Sequence, residues 1–589
     1  MTLNSIDRIG DRWLTGSPTY IPNLEGSHPL SSLSDTAKKG HWRKLKYKTE
    51  DLEGIMLLAG PETGAPNITI PLNCKGWHSI SIGVLAENEP VRLLARLTDS
   101  KTFSVLTLNG EENKNKEQEL TELFFKISDI TEQDLIIGQI SWQVSGGVSQ
   151  NFTQSTTASI AYIKLIPLSS EEQKDYIKDL KRTDTRSLFA HNDAHTVHYA
   201  SRPTTNEEIR RHLENYRDSD ISRLYWEAGQ GQQTFYFSKI GTPMTADNID
   251  DFPRQGDRLF AESWRIFRDR KVDPFELALE YAHQLGIEFH ACYRPAGFHF
   301  PPQHNHFTAG STFYQDNQEL RCKNKYGDPT PRISYAYPET RNFVISLIKE
   351  IASFKIDGIC ILYNRRPPLV EYDDPLIESF ENEYNIDPRD LDDLDTRWLS
   401  HKSEALTSFH RELRKALDQI SEQRTPGTKL EISTIVMSNH LENLQYGMDL
   451  QTWINEDLVD TIIPYHSNLN LDSSQPSWDR PEAIDYFLSL TNNTKCKLAP
   501  NLMPREITSE QYRERSHALY SRGVQNLFLW DTDIQQPRIN NSGPWETARR
   551  LGHKDEIDSW KSSGSQSLAP TTKKLLTLDD WDLSYETPG

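Results

Sequence analysis

Between residues 185 and 530 the sequence alternates short apolar runs with amphipathic helical patterns, and this alternation restricts the fold more than any other feature of the chain. The apolar runs are too short for helices and rich in β-branched residues, which predicts strands. Eight such runs occur, at residues 187–190, 221–227, 287–293, 356–362, 430–437, 459–465, 496–501 and 524–530. Eight strands that alternate with helices predict an α/β fold, a (β/α)8 TIM barrel.

Upstream of this region the pattern changes to short strands separated by turn residues, with no long helical pattern. Such a pattern predicts an all-β sandwich of jelly-roll type that resembles carbohydrate-binding domains. Its aromatic residues Trp77, Trp142 and Tyr162 could form a sugar platform, but a place in the core is the expected one. The predicted boundaries are an N-terminal segment 1–41, the sandwich 42–167, a linker 168–184, a catalytic barrel 185–553 and a C-terminal tail 554–589 that packs on the barrel.

Charge and composition exclude several classes of partner. The formal net charge is -20, which argues against a protein that binds nucleic acid through its phosphates. No apolar run reaches the length of a membrane span, and residues 1–15 lack the apolar core of a signal peptide. We therefore expect a soluble protein without a membrane partner, periplasmic or extracellular if a signal peptide has been removed and cytoplasmic otherwise. The five cysteines form no CxxC pair, so neither a disulfide framework nor a zinc ribbon is expected.

Acidic residues follow several of the predicted strands at the end where ligands bind in parallel α/β folds. Cleavage of a glycosidic bond requires one carboxylic acid and a second carboxylate. Glu227 and Glu371 are the favoured pair, and Asp531 is a third catalytic candidate. We expect Trp226 to raise the pKa of Glu227, as a general acid requires, and nearby arginines to keep Glu371 ionised.

Polar and aromatic residues at the same strand ends are expected to bind the substrate. They are His191, Asn192, Asp193, Trp226, Tyr293, Arg294, Tyr363, Arg365, Arg366, Asn439, Tyr465, His466, Glu506 and Trp530. The three arginines are suited to an anionic sugar, since guanidinium groups bind carboxylate and sulfate in a bidentate manner. Internal ion pairs with Glu371 or Asp373 explain them equally well, and the sequence leaves both explanations open.

The first predicted strand ends in HNDAH, which contains His191, Asp193 and His195. Three potential ligands at this spacing allow a metal site. We favour hydrogen bonds from these side chains to sugar hydroxyls, because the strict HxH spacing is absent. No cofactor and no metal are therefore expected, and a metal-dependent hydrolase remains an alternative.

Several segments resemble a known family: SYAYPETR at 334–341, residues 354–391, YGMDLQTWINEDLVDTIIPY at 446–465 and GVQNLFLWD at 523–531. They are similar to bacterial TIM-barrel proteins of the glycosyl hydrolase-like 10 family, and residues 76–84 and 161–168 resemble the β-sandwich that often precedes that barrel. The resemblance implies a glycosidase fold and a polysaccharide or oligosaccharide substrate. Relatives carry an acid where this chain has Leu362, which moves the expected acid to Glu371 or indicates altered catalysis.

These observations together predict a glycoside hydrolase that acts on a poly- or oligosaccharide by a two-carboxylate mechanism. A non-catalytic carbohydrate-binding protein is the first alternative, because the acid of the fourth strand is missing. Metal content would identify the metal-dependent alternative, and product release from a glycan panel would separate catalysis from binding.

Overall fold

The computed structural model describes most of the chain. The described residues are 8–9, 12–60, 63–86, 90–108, 118–140, 144–146, 150–152, 157–247, 249, 252, 255–298, 312–365, 367–424, 427–465, 481–502, 507–532 and 542–579. The structure is mixed α/β with large sheets, which confirms the predicted class. None of the described helices is both long enough and apolar enough to cross a membrane.

The N-terminal part consists of strands. They are β1 (Arg8–Ile9), β2 (Arg12–Trp13), β3 (Thr19–Ile21), β4 (Leu33–Ser34), β5 (Trp42–Thr49), β6 (Glu53–Ala59), β7 (Ile68–Ile70), β8 (Trp77–Leu85), β9 (Val91–Leu97), β10 (Ser104–Leu108), β11 (Glu119–Asp129), β12 (Leu135–Gln139), β13 (Val144–Gly146), β14 (Gln150–Phe152), β15 (Ala158–Ile160) and β16 (Tyr162–Pro167).

Two largely antiparallel sheets pack against each other in this part of the chain. One has the order β10-β9-β12-β7, and the other includes β15, β6, β5, β11, β8, β16 and β3. Ile80, Leu93 and Leu135 belong to a common buried cluster that contains residues of both sheets. Tyr162 is fully buried and donates a hydrogen bond to Glu122, as a core residue would. Trp77 packs edge-on against Tyr176, and Trp142 lies outside the described residues.

The remaining part of the chain alternates strands and helices. In chain order they are α1 (Ser170–Asp179), β17 (Leu188–Asn192), α2 (His195–Ser201), α3 (Asn206–Glu214), β18 (Ile221–Gln230), β19 (Gln233–Thr234), β20 (Thr242–Pro243), α4 (Gln255–Asp269), α5 (Pro274–Gln284), β21 (Glu288–Arg294), α6 (Thr312–Asp316), β22 (Arg321–Lys323), β23 (Pro329–Ile333), α7 (Pro338–Ile351), β24 (Gly358–Leu362), α8 (Asp374–Tyr384), α9 (Thr396–Arg424), β25 (Glu431–Met437), α10 (His440–Gln445), α11 (Leu450–Asn455), β26 (Thr461–Tyr465), α12 (Pro481–Thr491), β27 (Lys497–Leu498), α13 (Ser509–Ser521), β28 (Leu527–Leu529), α14 (Ser542–Ala548), α15 (Lys554–Ser562) and β29 (Thr572–Leu578).

Three segments outside the expected domains have structure that the sequence did not indicate. The predicted linker contains α1, which begins at a capping box formed by Ser169 and Glu172. The N-terminal segment contributes β3 and β4 to the larger antiparallel sheet. The tail was expected to pack on the barrel, and its contacts are divided: Ile557 of α15 belongs to the buried cluster around the helices of the parallel sheet, whereas β29 pairs with β11 and β5 of the N-terminal sheet.

A further sheet of ten strands contains eight parallel ones, each of which matches one of the predicted apolar runs, and the short strands β19 and β20 extend it beside β18. The pairing order is β28-β17-β18-β21-β24-β25-β26-β27. A parallel bridge between Asn501 and Phe528 connects the segment after β27 to β28. Local sequence explains the helices between them: Thr205 and Glu208 form a capping box at α3, and Gly286 takes a positive φ of 70° just after α5.

The two faces of this sheet differ in what covers them. One face packs against the helices in the largest buried cluster. The other face carries a smaller cluster that contains residues of strands and strand ends alone, and we call it the strand-only cluster: Phe189, Tyr225, Cys292, Cys360, Leu362, Ile435, Ile463, Tyr465, Ala499, Phe528 and Trp530. At the amino ends of the strands, the buried Arg223 pairs with Glu288 at 2.7 Å and with Glu431 at 2.6 Å. The carboxyl ends carry the candidate site.

Candidate active site

Glu227 is the central acidic residue at the carboxyl end of the parallel sheet. Its side chain is fully buried, and His191 Nε2 lies 3.2 Å from its Oε1. Arg294 Nη2 donates a hydrogen bond of 2.5 Å to the same oxygen. Among the described residues, no group bonds the second oxygen, Oε2. The three side chains come from β17, β18 and β21, so neighbouring strand ends assemble the group.

The electrostatics of this group differ from the expectation for a general acid. Burial by itself would raise the pKa of Glu227, but the charge of Arg294 and the hydrogen bond with His191 lower it overall. Burial lowers the pKa of His191, so this histidine is neutral near pH 7 and donates its Nε2 hydrogen to Glu227. Glu227 is therefore a carboxylate and not the protonated acid that we expected.

Trp226 does not form the aromatic wall that was expected beside Glu227. Neighbouring residues of a strand point to opposite faces of the sheet. Trp226 accordingly packs among the helices, with its ring 6.2 Å from that of Phe289. The expectation of a raised pKa for Glu227 failed for this reason, because its dominant neighbours are Arg294 and His191.

Trp530 supplies the aromatic ring of the site. The His191 ring stacks on it, with 3.8 Å between the ring centroids and 5° between the ring planes. The Arg365 guanidinium lies 4.9 Å from the same centroid, and Tyr465 approaches at 4.9 Å. These contacts cover the ring, and Nε1 of Trp530 has no hydrogen-bond partner among the described residues.

Asp531 lies beside the same group in an unusual backbone conformation, with φ of 57°. It is buried and interacts electrostatically with both His191 and Arg294. The next residue, Thr532, donates hydrogen bonds from its amide and its hydroxyl to the carbonyl of His191, at 2.7 and 2.8 Å. Tyr216 bonds the Thr532 hydroxyl at 2.8 Å. This tether fixes Asp531 beside the strand that carries His191.

Glu371 lies in a different environment from Glu227. It accepts a hydrogen bond of 3.1 Å from Thr330 on the β22–β23 hairpin. Burial raises the pKa of Glu371, although the Thr330 bond and the charges of Lys402 and Arg332 oppose this. Of the two arginines expected to keep Glu371 ionised, Arg365 lies over the Trp530 ring instead, and Arg366 lies outside the described residues. Asp373, two residues after Glu371, accepts hydrogen bonds from Ser334 and from the amide of Lys323.

Four of the predicted binding residues lie at strand ends but contact the helix-covered side or the loops. Tyr293 donates to the carbonyl of Gly231 at 2.7 Å, and Tyr363 bonds His410 at 2.9 Å. Asn192 accepts from the amide of Ala194, and Asn439 caps α10. Each side chain has a structural partner.

The residues of the metal alternative do not share one centre. His191 points to Glu227, while Asp193 accepts from the amide and hydroxyl of Thr196 at 2.9 and 2.8 Å. His195 packs its ring 4.8 Å from that of Phe260. The one potential metal cluster among the described residues lies elsewhere, at Asp179, His553 and Glu556, where ion pairs with Arg550 already use the carboxylates.

The expectations for Arg366, His466 and Glu506 stay predictions, because these residues lie outside the described ranges. Two other residues were missed by sequence reasoning. Asn364 follows β24 and Asn501 follows β27, and both are buried. In both side chains Oδ1 and Nδ2 lack hydrogen-bond partners within the described part of the chain. Their position just after parallel strands is the same signal that selected the other candidates.

The sequence model of the family Glycosyl hydrolase-like 10 matches residues 256–478. Among solved structures, the chain is similar to "Alpha-L-fucosidase isoenzyme 2 from Paenibacillus thiaminolyticus", at 12% identity over 64% of this chain and 50% of that chain, with a TM-score of 0.41. It is also similar to the β-galactosidase from the psychrophilic Marinomonas ef1, at 10% identity over 64% of this chain and 60% of that chain, with a TM-score of 0.38. A third similar structure is the endo-1,4-β-mannanase from Rhizomucor miehei, at 9% identity over 63% of this chain and 95% of that chain, with a TM-score of 0.37.

The chain spans 50% and 60% of the length of the first two of these structures. No curated protein matches it significantly. The family match runs from α4 past β26 and covers four of the eight parallel strands. Residues 256–478 therefore match the sequence model of the Glycosyl hydrolase-like 10 family, which confirms the resemblance.

Proposed function

We propose that the eight parallel strands form a closed (β/α)8 barrel. Two contacts support closure: the last strand, β28, pairs with the first, β17, and the Asn501–Phe528 bridge joins the segment after β27 to β28. Helices between the strands cover the outer face, and the strand-only cluster then fills the interior. In such barrels catalytic residues lie at the carboxyl ends of the strands, which is where Glu227, Arg294 and Trp530 lie.

We further propose that the protein is a glycoside hydrolase that cleaves a glycosidic bond of a poly- or oligosaccharide. The observation that carries this proposal is Glu227, a buried ionised carboxylate whose Oε2 lacks a partner among the described residues. A buried charged oxygen without a partner is costly unless a ligand uses it. The family match supports carbohydrate as the substrate class.

In the proposed reaction Glu227 acts as nucleophile or base. His191 and Arg294 hold Oε1, which leaves Oε2 for the reacting carbon or for water. The second carboxylate is Asp531, which would protonate the leaving oxygen, because it is the acid that shares His191 and Arg294 with Glu227. Glu371, the partner favoured from the sequence, has its contacts on the β22–β23 hairpin instead.

An anionic substrate is a further part of the proposal. Arg294 is neutralised by Glu227, so it contributes little free positive charge to the site. Arg365 lies over Trp530 and is partly exposed, which leaves its guanidinium for a uronic or sulfated group. Substrates with such a group are expected to bind more tightly than neutral ones, and the Arg365→Ala variant is expected to remove the preference.

The test is product release from a panel of neutral, uronic and sulfated glycans, followed by substitution. On the substrate found, Glu227→Gln and Asp531→Asn are expected to reduce turnover by at least ~10²-fold, the lower range for general acid–base catalysis. Asn tolerates a positive φ, so the second change preserves the backbone. Glu371→Gln is the matched control and is expected to keep most of the turnover. Full activity of Glu227→Gln would contradict the proposed mechanism.

A non-catalytic carbohydrate-binding protein is the second candidate. Leu362 occupies the position where relatives carry an acid, and it is fully buried in the strand-only cluster. The chain therefore lacks, at the fourth strand, one of the carboxylates that a glycoside hydrolase would use. Binding of a glycan without product release by the wild-type protein would favour this candidate over the hydrolase.

A further inference from the structure

Asn364 and Asn501 are two buried side-chain amides whose polar atoms have no hydrogen-bond partner in the described part of the chain. Their relative exposures are 6% and 3%. Neither Oδ1 nor Nδ2 of either residue has a partner among the described residues. Buried polar groups in folded proteins are nearly always hydrogen-bonded, so four unpartnered atoms in two residues require an explanation.

Both amides lie at the same end of the parallel sheet as Glu227. Asn501 follows β27, and its backbone amide donates to the carbonyl of Pro464 while a parallel bridge joins it to Phe528. Asn364 lies in the turn that begins directly after Leu362, the last residue of β24. Arg365, the next residue, reaches the ring of Trp530. The two asparagines therefore approach the mouth of the sheet from the fourth and the seventh strand.

We propose that Asn364 and Asn501 bind hydroxyl groups of one neutral pyranose ring of the substrate. This inference rests on the proposed function and specifies its substrate. A sugar hydroxyl both donates and accepts, and a side-chain amide offers an acceptor oxygen and two N–H donors. A carboxylate or sulfate would instead require charged donors, which Arg365 supplies. The ring held by the asparagines therefore carries free, unmodified hydroxyls, and an acidic group lies on a neighbouring part of the glycan.

The inference makes a prediction about stability that needs no ligand. Leucine has the same branched arrangement of side-chain heavy atoms as asparagine, although it is larger, and it has no polar atoms. Asn364→Leu and Asn501→Leu therefore remove polar groups that lack partners among the described residues of the free protein. Each variant is expected to raise Tm by about 2 to 4 °C. If an asparagine stabilises the fold, its replacement by leucine would lower Tm instead. Asn492→Leu, at an exposed position after α12, is the matched control and is expected to leave Tm unchanged.

The binding test uses methyl glycopyranosides of gluco, galacto and manno configuration, together with their monodeoxy counterparts. Saturation-transfer NMR titration gives the affinity of each probe for the wild-type protein and the variants. For the probe that binds best, each leucine variant is expected to weaken affinity about 5- to 10-fold. Removal of the contacted hydroxyl from the probe is expected to weaken wild-type binding by the same factor and to have little further effect on the variant.

The outcomes separate this inference from the proposed function. If the wild-type protein binds none of the probes and no glycan in the hydrolysis panel, both are overturned. If it binds a probe and the leucine variants bind it equally well, the assignment of the asparagines is wrong while the proposed function stands. The assignment is also overturned if Tm falls for both leucine variants and if the variants lose the same affinity for every deoxy probe. This combination would show that the asparagines support the fold and do not contact a particular hydroxyl.

Discussion

At the scale of single residues, the charge on Glu227 is set by residues from two other strands. Its neighbour in sequence, Trp226, points to the opposite face, as strand geometry requires. Arg294 and His191 contact its Oε1 and keep it ionised in a buried site. Because two neighbours hold Oε1 while Oε2 has no partner among the described residues, the carboxylate is oriented before any substrate arrives, and such preorganisation favours catalysis.

This arrangement predicts the pH dependence of activity. The charge of Arg294 and the hydrogen bond with His191 outweigh burial and hold the pKa of Glu227 below 4.5, its ordinary value, so the group is charged in neutral solution. In Arg294→Gln, burial is no longer offset by the arginine, and the pKa of Glu227 rises. The acid limb of the profile of kcat against pH is therefore expected to move to higher pH.

Arg365→Gln is the control for this shift, because Arg365 contacts the Trp530 ring and not Glu227. It is expected to leave the acid limb in place. An acid limb that is identical in the wild type and in Arg294→Gln would show that Glu227 does not limit the rate in acid.

At the scale of elements, β29 joins the two ends of the chain. Its first residues pair with β11 at Glu119–Thr121 and its last residues pair with β5 at Tyr47–Thr49. Lys573 of this strand also forms an ion pair with Asp51, and Leu575 is buried. The strand therefore fills a gap between two halves of the larger antiparallel sheet.

Deletion of β29 tests this role. A chain that ends at residue 571 is expected to lose about 3 to 5 kcal/mol of unfolding free energy in the N-terminal part, since several backbone hydrogen bonds of about 1 kcal/mol each are lost. Calorimetry would record the loss as a lower Tm for that transition. A chain that ends at residue 579 keeps the strand and serves as the control. Equal Tm values for the two truncated chains would contradict the role of β29.

The sequence predicted local elements better than contacts between distant ones. All eight parallel strands were placed correctly, because runs such as 356–362 are apolar on both faces and short. The strand β29 was missed, since its sequence TKKLLTL is largely polar and its partners lie more than 400 residues away. In the candidate site, strand ends identified Glu227, Arg294 and Trp530, but the ion pair that fixes the charge of Glu227 joins different strands and left no local signal.

At the scale of the whole molecule, a charged cluster joins three distant parts of the chain. His553 lies 2.9 Å from Asp179 at the end of α1 and 2.7 Å from Asp220, which precedes β18. Arg550 also pairs with Asp179. The cluster thus connects the helix after the N-terminal sheets, the parallel sheet and the C-terminal helix α15.

The cluster predicts how stability changes with pH. Burial would lower the pKa of His553, but Asp179 and Asp220 raise it overall to about 9, from 6.5. A raised folded-state pKa means that the stabilisation is complete below pH 6.5 and is lost as the pH rises through 9. His553→Gln is expected to cost on the order of 1 to 3 kcal/mol at pH 6 and much less at pH 10. Thermal unfolding at both pH values measures this, and an equal loss at both would exclude a charged His553.

The position of β29 also has a consequence for biosynthesis. A ribosome releases β5 and β11 long before it releases Thr572–Leu578, which lies between them in the finished sheet. During most of translation the edges of β5 and β11 that later pair with β29 are therefore exposed. Unpaired strand edges of this kind promote association between chains. We expect the nascent protein to need protection by a chaperone until its last segment emerges, and the larger antiparallel sheet to close only after synthesis of the parallel strands is complete.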